Sequence, residues 1–322
     1  MASDQGSANA QTNNAPTPRR THYGVPLLPL KIANVVAFIL ALIVNALSAG
    51  GGIGAVGRKY PTQIKPCCGA LSIWLCIYGL QGIFLVYQFF WPEQDESTLL
   101  HGIGFWFLSS CLFNALWILT FVQATTVSLW CSAVCMFCLL FSVCKIYVNT
   151  DMWRKARPGG LLQGIALDVH ISTYAGWVTV ATIVSTATTL TTVLETDAFQ
   201  ASFCSAVMIV CALLLNILIV VKRQDCIWGW ILVWSTYFIS VAHSTDPIVY
   251  TAALVACVVM GIVQGFVSGF VLVKWLRRQQ NMNAGYSLPV VFGSTVPLEM
   301  EAEEGENTVD TVVDAATKPM CE

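Results

Sequence analysis

Charge is what this sequence has least of. Asp, Glu, Lys and Arg make up 11% of its 322 residues, against 56% apolar residues and a mean hydropathy of +0.67. A water-soluble domain carries about 25% charged residues. A chain this poor in charge cannot cover an aqueous surface, whereas lipid accepts it as a solvent does. The few charges lie between long apolar runs or towards the two ends, with a net charge of −2. Without a basic patch, nucleic acid is not expected as a partner.

Groups able to do chemistry are also scarce. There are four histidines, His22, His101, His170 and His243, each near an expected span end or in the N-terminal stretch. No nucleophile–base pair, phosphate loop or metal cluster stands in a credible context, so an enzyme is not expected. No acidic or basic group falls at the middle of a span, which argues against an ion-coupled pump. Asp168 and His170 open the fifth span, at headgroup depth. The first thirty residues are polar, so no cleaved signal peptide is expected. Ala2 and the penultimate Cys321 remove the myristoylation and prenylation signals. Residues 1–31 and the acidic 279–322 read as disordered tails.

Cysteine, by contrast, is plentiful, with thirteen in the chain. Most lie inside apolar runs, where they behave as small hydrophobes, and none makes a zinc spacing with histidine. Cys67 and Cys68 sit together at an expected membrane edge, the one place where palmitoylation is a reading beside that of two unmodified thiols.

A hydrocarbon core about 30 Å thick needs roughly 20 helical residues. Eight runs approach that length: 32–49, 69–91, 100–122, 126–147, 162–193, 199–221, 226–241 and 248–273. The sequence therefore predicts an all-α integral membrane protein, a polytopic bundle of about eight transmembrane helices with the bilayer as its first partner. With eight spans both ends share one side. That side holds twelve Lys and Arg residues near the spans, leaving out the remote Lys318, and the other only Arg58, Lys59 and Lys65 in the first loop. The positive-inside rule puts both termini in the cytoplasm, with the first loop as the exception to the pattern.

Gly52, Gly54 and Gly57 spell G-x-G-x-x-G. A dinucleotide site needs that turn after a strand. Here it follows an apolar span and leads to Arg58, Lys59, Tyr60 and Pro61, so it reads as a flexible loop. Gly261, Gly265 and Gly269 recur every four residues on the last span, a packing face for another helix of this chain or for a second protomer in a homodimer. Asn45, Gln81, Asn114, Asn216 and Gln264 lie within spans and are expected to face protein.

Aromatic residues fall at helical spacing on three spans. Trp74, Tyr78 and Gln81 share one face; Trp106, Ser110, Phe113 and Trp117 another, beside Asn114; and Tyr174, Trp177 and Ala181 a third. Each stripe alone fits packing or an interfacial belt. Together, with amides interleaved, they suit a pocket for a flat apolar ligand.

These stretches also resemble a known family. Trp74 followed by Tyr78-Gly79, Asn114-x-x-Trp117, and Tyr174-x-x-Trp177 followed by Ala181 occur in that order on the second, third and fifth spans. This is similar to the tryptophan-rich sensory protein/translocator protein (TspO/MBR) family. The added Lys222-Arg223-Gln224-Asp225 turn with Trp230 and Trp234 is similar to its longer eight-helix relatives. The resemblance implies a five-helix core over 32–193 and three further helices over 194–278. It also implies a pocket that in short members takes porphyrins and sterol-like ligands, lined here by Trp74, Tyr78, Asn114, Trp117, Tyr174 and Trp177. The sterol-motif Tyr and Arg at the end of the fifth helix are replaced by Thr191-Thr192-Val193-Leu194-Glu195. No resident cofactor is expected; a tetrapyrrole is the ligand class implied. A facilitative small-solute transporter and a scaffold or receptor acting through its tails are the rival expectations.

Overall fold

The computed structural model describes residues 27–49, 52–60, 62–90, 98–154, 161–194 and 196–285. Both expected tails, apart from 27–31 and 279–285, lie outside these residues, as does the side chain of Cys68. The chain divides into two units, 1–275 and 276–322, and of the second only the end of a helix is described.

The described residues fold as helices: α1 (Leu27–Ala49), α2 (Gly52–Lys59), α3 (Ile73–Tyr87), α4 (Trp106–Phe121), α5 (Thr126–Arg154), the short α6 (Leu161–Gln163), α7 (His170–Val193), α8 (Ala198–Arg223), α9 (Cys226–Ala242) and α10 (Pro247–Gly285). A 3-10 turn, Cys68–Ser72, leads into α3. Turns of π-helix, Thr98–Ile103 and Gly164–Val169, precede α4 and α7. Each of the eight runs expected to cross the membrane is thus helical. Five of these segments are long and apolar enough to span a bilayer, and α4 and α9 are shorter apolar helices. The G-x-G-x-x-G stretch departs from expectation, because its residues form the helix α2 rather than a loop.

The ends of these helices are set by local polar chemistry. Asp197 and Gln200 form a reciprocal capping box on α8. Asp225 caps α9 through the Ile227 and Trp228 N–H groups, and Asp246 caps α10 through Ile248 and Val249. Thr125 and Ser128 exchange bonds at the start of α5. The α4–α5 and α8–α9 turns are tight because Ala124 and Gln224 adopt left-handed backbone, at φ 52° and 56°.

The bundle has its polar matter inside and its apolar matter outside, as lipid demands. Leu47, Phe199, Leu214, Phe266 and Phe270 are each more than half exposed. The centre is α7, buried at every position from His170 to Val180 and packed against α3, α5, α8 and α9. Its many threonines need no external partner. The Thr179, Thr182, Thr188 and Thr189 hydroxyls each donate to the carbonyl four residues back, at 2.7–3.0 Å. A span so rich in Thr is tolerated because neighbouring helices shield it from hydrocarbon.

On α10 the buried face runs Val249, Ala253, Ala256, Met260 and Gln264. Gly261, Gly265 and Gly269 lie one position further round, and a Cβ added at any of them would meet nothing within 4 Å. The expectation that this stripe packs on another helix of the chain is therefore corrected. Close helix approach is made by other glycines. A Cβ at Gly229 on α9 would strike the Gln264 side chain, and one at Gly176 on α7 would come within 3.3 Å of Ile231. Gln264 uses the closeness to donate to the Cys226 carbonyl at 2.7 Å.

Candidate functional site

The three indoles expected to converge do so. Trp74 on α3 stacks on Trp117 of α4 at 6.4 Å between centroids and meets Trp177 of α7 edge-on at 6.1 Å. Trp117 in turn stacks on Phe121 at 5.8 Å. These rings form one wall of a cavity of about 480 Å³, within the range of small-molecule sites. Val180, Ala181, Val184, Ser185 and Thr188 of α7 extend the same wall, which continues the Trp177 face along the helix at the i+3, i+4, i+7, i+8 and i+11 positions. The opposite wall is α2 and the segment after it, through Arg58, Tyr60, Thr62, Lys65 and Pro66.

That second wall is tied down at both ends. The Tyr60 hydroxyl and Lys59 Nζ both donate to the Ala124 carbonyl in the α4–α5 turn, at 2.8 and 3.1 Å. Further along, the Cys67 N–H donates to the Phe238 carbonyl at 3.3 Å, and His243 Nε2 donates to the Lys65 carbonyl at 3.0 Å. His243 and Asp246 sit in the loop between α9 and α10. Burial holds the His243 imidazole below the ordinary histidine value, against the opposing pull of the Lys65 carbonyl and the Asp246 charge. Burial also pushes the Asp246 carboxyl upward, but the Ser202 hydroxyl, the Val249 and Ile248 N–H groups and nearby His243 outweigh it and leave the carboxyl below its usual value.

Four buried polar groups around the cavity have no protein partner: Trp117 Nε1, Trp177 Nε1, Thr62 Oγ1 and Ser185 Oγ. Buried polar groups in proteins are nearly always bonded to something; unpartnered atoms also occur away from the cavity, at Ser132, Asn216 and Trp228, so these four do not by themselves single it out.

The remaining expected site residues are placed elsewhere. The Tyr78 hydroxyl donates to Asn45 Oδ1 at 2.6 Å, and Asn45 Nδ2 donates to Asn114 Oδ1 at 2.7 Å. Tyr78 and Asn114 therefore join α1, α3 and α4, although Tyr78 still stacks on Trp74 at 5.5 Å. Tyr174 is buried beside Ser110 and Gln81, deeper in the bundle. Trp106 packs edge-on against Phe141 at 5.6 Å under the Lys145 ammonium, near the opposite end of α4. Asn216 is buried without a protein partner. Sequence reasoning did not assign the second wall to the site; its signals were the basic loop that broke the charge asymmetry and the Val56, Tyr60 and Lys65 spacing, which fits a loose sterol-contact pattern.

At the other end of the bundle a smaller, polar cavity of about 230 Å³ lies between the ends of α5 and α8 and the starts of α7 and α9. Asp225 dominates it, with Oδ2 accepting from Tyr147 at 2.7 Å and from Ser172 at 2.6 Å. Arg223 lies over the Tyr147 ring at 4.7 Å. This cluster fastens the α8–α9 turn to α5 and α7.

Together these features define a class: an integral, multi-pass helical membrane protein enclosing an indole-walled cavity near one end. The family described as TSPO-like protein matches residues 31–266, and the chain belongs to that family. Searches among curated proteins and among solved structures found no match.

Proposed function

We propose that the chain binds a flat, largely apolar small molecule, a porphyrin being the representative ligand, between the Trp74, Trp117 and Trp177 rings and the α2 wall. The observation that carries this reading is the convergence of three indoles from three helices on one 480 Å³ cavity. Stacked and edge-on rings offer a flat π-system dispersion contacts on its faces. The side chains of Tyr60, Thr62, Ser185 and Thr188 among the lining residues set a few polar groups beside the apolar walls. Membership of the TSPO-like family supports a binding role of the TspO type. In this reading residues 32–193 form the binding core and 194–278 buttress it through Asp225. Both tails face the cytoplasm, so the cavity lies towards the opposite leaflet.

Titration of the purified full chain with protoporphyrin IX, followed by tryptophan fluorescence, tests the proposal. Saturable quenching is expected, together with at least tenfold weaker binding in a Trp117→Ala/Trp177→Ala double variant. Quenching that fails to saturate would sink the reading.

A further inference from the structure

Among the described residues, the cavity lining is charged with one sign only: it holds Arg58 and Lys65, with neither Asp nor Glu. The described carboxylates at this end of the bundle are engaged elsewhere. Asp197 caps α8, and Asp246 caps α10 and accepts from Ser202. Lys59, the third cation of the loop, donates to the Ala124 carbonyl and lies near its neighbour's ring, leaving Arg58 and Lys65 on the cavity.

Lys65 is seated there by a specific vacancy. A Cβ on Gly57 would collide with Lys65 Nζ, so the missing side chain at Gly57 is the space the ammonium occupies. The glycine motif that fails as a dinucleotide loop thereby acquires a role: Gly54 and Gly57 form cavity wall, and Gly57 admits a cation to it. The same residues explain why the first loop departs from the positive-inside pattern. Cations on the disfavoured side of a membrane protein call for a local reason, and a half-buried ammonium at the edge of an apolar void is most stable with an anion beside it.

Resting on the proposed binding role, we infer that the cavity's ligand is an amphipathic anion. Its flat apolar body lies among the indoles and its carboxylate meets Arg58 and Lys65. Neutral molecules of the same shape are discriminated against because they leave the two cations unpaired.

Protoporphyrin IX and its dimethyl ester share one macrocycle and differ in their carboxylates, which makes them a matched pair of probes. The full chain in zwitterionic nanodiscs is titrated with each, following tryptophan quenching. The acid is expected to bind about tenfold more tightly than the ester, with the ratio shrinking as salt rises. In an Arg58→Gln/Lys65→Gln variant the ratio is expected to fall towards one. Equal binding of acid and ester by the unaltered chain, or a preference that survives the double substitution, overturns the anion seat while leaving the binding role standing. Saturable quenching by neither probe overturns both. Repeating the titration in nanodiscs containing phosphatidylglycerol separates sources of the anion: an undiminished preference supports a seat for the free acid. A preference abolished by the anionic lipid assigns the seat to a headgroup and overturns the inference.

Discussion

The Tyr78 hydroxyl donates to Asn45 Oδ1 at 2.6 Å, so two residues 33 positions apart hold α3 against α1. Asn45 passes the link on to Asn114 on α4. In a bilayer such bonds between helices contribute about 0.6–2 kcal/mol each. Tyr78→Phe is expected to cost about 1 kcal/mol of stability, and Asn45→Leu about 2 kcal/mol because it strands two buried partners. Thermal unfolding in detergent measures both. Porphyrin affinity should change less than threefold in Tyr78→Phe; a large loss of affinity with unchanged melting would instead place Tyr78 on the ligand.

Much of this fold was legible from the chain alone, because lipid imposes one rule on every span. Apolar runs of the right length marked the helices, and the Asn114 and Gln81 amides were correctly expected to turn inward. The site was legible where it follows helical periodicity. Trp74, Trp117 and Trp177 were placed by spacing, and the Trp177 face could have been followed on to Ser185 and Thr188. What spacing could not give was depth along the helix axis. Tyr174 lies one turn before Trp177 on the same face, yet it packs beside Ser110 and Gln81, away from the cavity. The α2 wall was hidden for another reason. Its position depends on long-range bonds to Ala124, Phe238 and His243, and no local pattern encodes those partners.

Filling the void tests its shape independently of the indoles. Ala181 lines the cavity and is partly buried, so Ala181→Phe would place a ring in space now empty. Porphyrin affinity is expected to fall at least tenfold. Stability should hold or rise, since the added ring occupies a cavity rather than overpacking a full core. Quenching titrations and melting curves on the same preparation check both halves.

Asp225 carries four hydrogen bonds, two from the start of α9 and two from the Tyr147 and Ser172 hydroxyls. Its removal as Asp225→Ala takes away a helix cap and two charge-assisted bonds, a loss of about 3 kcal/mol. A double-mutant cycle with Tyr147→Phe should return a coupling of about 1 kcal/mol. Additive losses would mean that the two residues stabilise the protein separately and that the α8–α9 turn is held by packing alone.

Acid should loosen the loop that forms the second wall. The His243 imidazole is held below its ordinary value by burial, so the unfolded chain binds the extra proton more readily than the folded one. The stability this contributes is present above about pH 6.5 and is lost as pH falls through and below that value. Asp246, also held low, adds a loss of the same sign at more acidic pH, as the solution drops below the ordinary carboxylate range. The melting temperature in detergent is expected to fall from pH 7.5 to 5.5, with a shallower slope in His243→Gln, which keeps an N–H donor for the Lys65 carbonyl without titrating. An unaltered slope in that variant would assign the acid sensitivity to another group.

The open glycine face of α10 gives the last test. Because a Cβ at Gly265 meets nothing within 4 Å, Gly265→Ala introduces no clash in the single chain and relieves a helix interior of glycine's backbone entropy. The isolated protomer should be as stable as before, or more stable by up to about 1 kcal/mol. Gly265→Leu, which projects further, discriminates what covers the face. If lipid does, both variants melt alike and sediment alike in detergent. If a second protomer packs there through the small-residue stripe, the leucine lowers the stability and the mass of the particle while the alanine does so less, because each added carbon pushes the two backbones apart.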